Sequence, residues 1–72
     1  MEYKIVVTKL DEWAGKTHYS HLFSATLMGL YSARSAYYEI KDKFPSPQYK
    51  ISLEIWQHSG REVNASEYFN EA

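Results

Sequence analysis

Apolar residues fall on alternate positions at the start of the chain, on every third or fourth position in the middle, and on alternate positions again near the end. In "EYKIVVTKL", Glu2 to Leu10, Tyr3, Ile5 and Val7 share one side of an extended chain while Lys4, Val6 and Thr8 share the other, and the β-branched content favours a strand. Asp11 to Lys16 then supplies turn chemistry, with Asp11 as a local hydrogen-bonding residue and Gly15 free to take positive φ. "THYSHLFS", Thr17 to Ser24, reads as a second strand that completes a hairpin. Its register stays open: Tyr19, His21 and Phe23 share one face, His18, Ser20 and Leu22 the other, and both faces carry apolar groups.

From Thr26 to about Lys43 the period becomes helical. Leu27, Leu30, Ala33, Tyr37, Ile40 and Phe44 make one stripe, and Ser32, Arg34, Ser35, Glu39 and Asp42 fall largely outside it. Thr26 is placed to cap the N-terminus, Lys41 and Lys43 suit the negative end of the helix dipole, and Pro45 and Pro47 stop the helix. "YKISLEIWQH", Tyr49 to His58, returns to strict alternation, with Tyr49, Ile51, Leu53 and Ile55 on one face and Lys50, Ser52, Glu54 and Trp56 on the other. Ser59-Gly60 is a turn signal, "REVN" suits a short fourth strand, and residues 65–72 suit a single helical turn or a frayed tail. The expected architecture is one α+β domain over residues 1–72. It has a three-stranded, or four-stranded, mainly antiparallel sheet with one α-helix packed on one face, in the order ββαβ(β).

Composition narrows the function. A chain of 72 residues without cysteine has a small core and no disulfides to reinforce it, so a partner subunit, and hence a homodimer, is a natural expectation. Eight Lys and Arg against nine Asp and Glu leave no field to steer the chain toward phosphate backbones or anionic lipid, which makes nucleic acid the less favoured partner. No apolar run approaches the roughly 18 residues of a membrane span, and "MEYKIVV" lacks the basic head and long apolar stretch of a secretion signal, so the expected location is cytoplasmic, without membrane attachment. Seven Tyr, three Phe and two Trp exceed what so small a core absorbs, and surplus Tyr and Trp at a surface favour binding.

Two fragments of "DEWAGKTHYSH" invite chemistry. Gly15-Lys16-Thr17 resembles the end of a phosphate-binding loop, but that loop needs a glycine where Leu10 stands and a helix after Thr17, where a strand is expected. His18 and His21 lie three apart on an expected strand and so face opposite ways, leaving only His58 as a further nitrogen donor. The neighbours His58, Ser59 and Glu62 do not make a triad by closeness in sequence, since a triad is a spatial arrangement. No catalytic residue, no metal and no cofactor is expected. Arg34, Tyr37, Tyr38 and Lys41 would suit base stacking beside phosphates, although Tyr37 falls on the apolar stripe.

What remains is a surface. If the helix covers Tyr3, Ile5, Val7, Ile51, Leu53 and Ile55, the opposite sheet face presents Trp56 and Val6, together with either Tyr19 and Phe23 or Leu22 from the second strand. Tyr38 on the helix flank joins Trp56, Val6, Tyr19 and Phe23 as a candidate partner-binding residue. Tyr68 and Phe69, a second copy of the chain, or a foreign protein could cover Trp56.

The segment "FSATLMGLYSARSAYYEI" leading into "YKISLEIW" resembles small phage proteins that inhibit host machinery, among them RNA-polymerase inhibitors and anti-CRISPR proteins. Ala25, Thr26 and Leu27 carry the likeness: a strand ends there, a helix follows and a strand returns. The resemblance implies a non-enzymatic inhibitor or adaptor acting on a host protein. The rival expectation is a small nucleic-acid-binding domain using its surface aromatics.

Overall fold

A computed structural model describes residues 1–57 and 60–69. Its framework begins with a hairpin of two twelve-residue strands, Glu2–Trp13 (β1) and Lys16–Leu27 (β2). Ala14 and Gly15 join them with φ of 52° and 75°. Left-handed backbone at both turn positions matches the natural twist of a hairpin, so two residues suffice where the sequence suggested six. The strands are correspondingly longer than expected. Pairing runs from Tyr3↔Leu27 to Trp13↔Lys16, so β2 continues three residues beyond Ser24.

The helix Leu30–Lys43 (α1) therefore starts later than Thr26. Thr26 lies within β2 opposite Lys4, where the hydrogen-bonded ladder wins over a capping role. Gly29 occupies the N-cap in extended backbone without a side-chain bond, and its carbonyl accepts from the Ala33 N–H at 2.9 Å. After α1 the chain enters Tyr49–Trp56 (β3) and then Gly60–Asn64 (β4), giving a four-stranded antiparallel sheet in the order β2-β1-β3-β4. Because β2 and β3 are each antiparallel to the β1 between them, they run parallel to one another, and α1 makes the return crossing that parallel strands require. A short helix, Ala65–Tyr68 (α2), closes the described chain. Its cap is Asn64, whose Oδ1 accepts from the Ser66 N–H at 3.0 Å and from the Ser66 hydroxyl at 2.7 Å.

One face of this sheet is the core. Ile5, Val7, Leu53, Ala33 and Ala65 are fully buried, and Tyr3, Tyr37 and Phe69 nearly so. Complete burial of an aliphatic side chain contributes ~1.5–3 kcal/mol, so the first three are major contributors. Ala33 and Tyr37 come from the expected helical stripe with Ile40 beside them, but Leu30 is half exposed at the first turn of α1. Phe69 packs against Tyr37 at 5.1 Å between ring centres, and Tyr68 lies 6.4 Å from Tyr3. Tyr68 and Phe69 thus join the helix side of the sheet and do not cover Trp56.

A bulge settles the open register of β2. Val7 pairs with Phe23 but Thr8 pairs with His21, leaving Leu22 as the extra residue. Beyond the bulge the inward and outward positions exchange. Phe23 consequently faces the helix layer, 5.2 Å from Phe44, which itself lies 5.1 Å from Tyr49. Tyr19 pairs with Leu10 on the opposite face. The expectation that Phe23 and Tyr19 share one exposed surface is corrected by that single inserted residue.

Burial pushes the Tyr3 hydroxyl above its ordinary pKa of 10.0, reinforced by its hydrogen bond with Tyr68 and the charge Tyr68 would carry. Burial also raises Tyr37, with Tyr38 adding to the shift and the bond to Ser66 opposing it. A group that holds its proton more tightly when folded contributes stability below its unfolded pKa and loses it as pH rises through the folded value. Chemical denaturation from about pH 8 to about pH 11.5 should show stability level to about pH 10 and falling above, with a shallower fall in Tyr3→Phe. An identical slope in the variant would contradict the burial of this hydroxyl.

Candidate functional site

The face of the sheet opposite the helices is uncovered by any described element. Register places its residues in cross-strand rows: Glu2, Trp56 and Gly60; then Thr26, Lys4, Glu54 and Glu62; then Ser24, Val6, Ser52 and Asn64; then His21, Thr8 and Lys50; then Tyr19 and Leu10; and last Thr17 and Glu12. Trp56 is 43% exposed and stands at one end, while Tyr19, 45% exposed, stands toward the other. Val6 and Ser52 occupy the middle, Val6 half-buried and Ser52 buried.

The apolar side chains do not form one continuous patch. Between Trp56 and Val6 lies an ion pair, Lys4 Nζ to Glu54 Oε2 at 3.9 Å. Both groups are partly exposed, so the pair adds little stability, but it does divide the surface into an aromatic end and a mixed middle. Counting the charges in these rows gives Glu2, Glu12, Glu54 and Glu62 against Lys4 and Lys50, a face with an acidic excess.

Trp56 is oriented by its neighbour across the β3–β4 pair. It pairs with Gly60, and a Cβ on that glycine would come within 2.5 Å of indole Cζ2 and 2.6 Å of Cη2. The ring therefore lies flat over bare backbone, an arrangement open only to glycine at position 60. One side of the indole is packed and the other is offered outward. Nothing in strand alternation alone points to Gly60, but the spacing Trp-x-x-x-Gly about a turn carries the signal.

Tyr19 is held at the far end of the face. Its hydroxyl donates to the Pro47 carbonyl at 3.2 Å, and the Lys50 ammonium sits 5.8 Å from its ring centre. Tyr38 lies elsewhere, on the outer side of α1 with the Arg34 guanidinium 5.6 Å from its ring and Tyr37 at 5.4 Å. Of the five candidate contact residues, the structure brings Trp56, Val6 and Tyr19 onto one face, turns Phe23 to the other, and sets Tyr38 in the helix layer.

Around the edge of the sheet, where α1 ends against the start of β3, lies a cleft of about 600 Å³ whose walls include Tyr37, Lys41, Phe44, Tyr49, Ile51 and Asn64. The residues that first suggested chemistry serve the hairpin. Gly15 is at its tip, Lys16 and Thr17 open β2, and His18 and His21 pair with Asp11 and Thr8 on opposite faces. Among the described residues no three His, Asp or Glu side chains gather into a metal-binding group. His58 and Ser59 lie outside the described residues. No helix among the described residues is long and apolar enough to cross a membrane. No protein-family model, curated protein or solved structure matches the chain.

Gly60→Ala should displace the indole and lower stability by ~1 kcal/mol, as a forced side-chain shift at a partly exposed site does. In a Trp13→Phe background, where Trp56 is the sole tryptophan, the displacement should appear as a red shift of the tryptophan emission with easier quenching. Unchanged emission would mean that the ring does not rest on Gly60.

Proposed function

We propose that this chain is a non-enzymatic protein-binding module of the inhibitor or adaptor kind, taking its partner on the helix-free face of the sheet with Trp56 as the anchor. The observation that carries this reading is the charge of that face. Four glutamates against two lysines give an uncovered surface that would repel a phosphate backbone, while an outward indole flanked by polar and ionic rows resembles the make-up of a protein interface. The aromatic rings that a base would need for stacking also have cations over them already, Lys50 at Tyr19 and Arg34 at Tyr38. The nucleic-acid alternative would have to rely on Trp56 without a basic groove around it among the described residues of this face. On this reading the partner is a host protein of the sort that phage or mobile-element inhibitors engage, the class implied by the resemblance at Ala25, Thr26 and Leu27.

Trp56→Ala tests it. The variant should lose ~2 kcal/mol or more of affinity for a protein captured from bacterial lysate, as an interface anchor does, while folding stability changes much less. Capture should survive nuclease treatment. A catch that nuclease abolishes would favour the rival. A loss of ~3–5 kcal/mol in folding stability, typical of an aromatic removed from a core, would mean that the indole belongs to the interior.

A further inference from the structure

The two edges of the sheet are unequal. β4 has five residues, carries Arg61 and Glu62, and runs directly into α2. β2 has twelve residues, no proline, and a single charged residue, Lys16, at its tip. Natural edge strands are kept from pairing by shortness, charge, proline or a bulge. β2 has only the last of these, the bulge at Leu22, which leaves Phe23–Leu27 as a straight, uncharged and unpaired edge beyond it.

We propose that this segment pairs antiparallel with the same segment of a second copy of the chain, about a two-fold axis through Ala25, joining the two sheets into one of eight strands. Two observations select a second copy as the occupant. The first is that the segment reads alike in both directions: Phe23, Ser24, Ala25, Thr26, Leu27 is apolar, polar, small, polar, apolar. Reversed against itself, it sets Phe23 beside the partner's Leu27 and Ala25 beside the partner's Ala25 on the helix side. On the open side it sets exposed Ser24 beside the partner's exposed Thr26.

The second observation is the position of α1, which rests over β1 and β2. With strands ~4.8 Å apart, a two-fold axis just outside β2 places the two α1 helices ~10 Å apart, the distance at which helices pack. Tyr37 and Lys41 are turned toward the cleft and α2, so the flank that meets the other helix carries Ser32 and Ala36, small enough to allow the approach, with the exposed Glu39–Lys43 ion pair farther along it. The pairing extends both the sheet and the helix layer and leaves Trp56 uncovered, so it does not depend on what the open face binds.

Sedimentation equilibrium at about 100 μM chain should give twice the 8.5 kDa chain mass. Ser24→Glu with Thr26→Glu puts like charges opposite each other across the axis at two exposed positions, and should weaken the dimer at least about tenfold. Ser24→Lys with Thr26→Glu pairs opposite charges across the same axis and should remain dimeric, which separates repulsion from misfolding. Trp56→Ala should also remain dimeric. A wild-type chain of single mass, a Glu–Glu variant that still dimerises, a Lys–Glu variant that does not, or dissociation by Trp56→Ala, which would place the contact on the open face, would each overturn the proposal.

Discussion

The structure depends on β1 being hydrogen-bonded on both sides while only one of its faces is apolar. From Tyr3 to Lys9 this strand has β2 along one edge and β3 along the other. Tyr3, Ile5 and Val7 project to a single side, all buried, and there Tyr3 and Ile5 join Leu53, Ala33, Tyr37, Ala65 and Phe69 in one cluster. Much else is a consequence. A central strand antiparallel to both neighbours makes those neighbours parallel to each other, so the chain needs a crossing element, and α1 supplies it over the face that must be buried. α1 lies over the β2 side, which leaves the β3 side for α2. Asn64 turns the chain into that short helix as soon as β4 ends, and Phe69 then reaches Tyr37.

The same constraint makes the opposite face a surface. Alternation along β1 and β3 sends Lys4, Val6, Lys50, Glu54 and Trp56 away from the helices, where cross-strand partners dispose them in rows. Gly60 fixes the indole at one end, and Lys50 with Pro47 fixes Tyr19 at the other. On the proposed reading, these aromatic ends and the rows between them are what a partner protein would contact.

Much of this was legible in the residues. Period two in Tyr3-Ile5-Val7 and Ile51-Leu53-Ile55, with a period near 3.6 through Ala33, Tyr37 and Ile40, leads to the strands, the main helix and the side of the sheet on which Trp56 falls. Pairing information was not legible. A bulge is one residue of excess in one strand relative to another, so the reversal between Phe23 and Tyr19 has no local sign in "THYSHLFS". The start of α1 was misplaced for a related reason: Thr26 has the chemistry of a cap, but Lys4 of β1 is available as its ladder partner, and only the tertiary pairing decides between them. Leu30 sits at the period of the stripe, yet the first turn of α1 leaves it half exposed. Tyr68 and Phe69 could have folded to either side, and the space beside Tyr37 determined which.

The central claim is that this sheet has one face made of core and one made of surface, divided along β1 between adjacent residues. Ile5 is fully buried, and its neighbour Val6 points the other way beside Ser24 and Ser52. Equilibrium unfolding of Ile5→Lys and Val6→Lys compares the two faces at one residue's separation. The account predicts that Ile5→Lys, which buries an unpaired charge, loses ~3–5 kcal/mol or fails to fold, while Val6→Lys folds cooperatively with a loss of ~1 kcal/mol or less. Comparable destabilisation by both substitutions, or a greater effect at Val6, would contradict it.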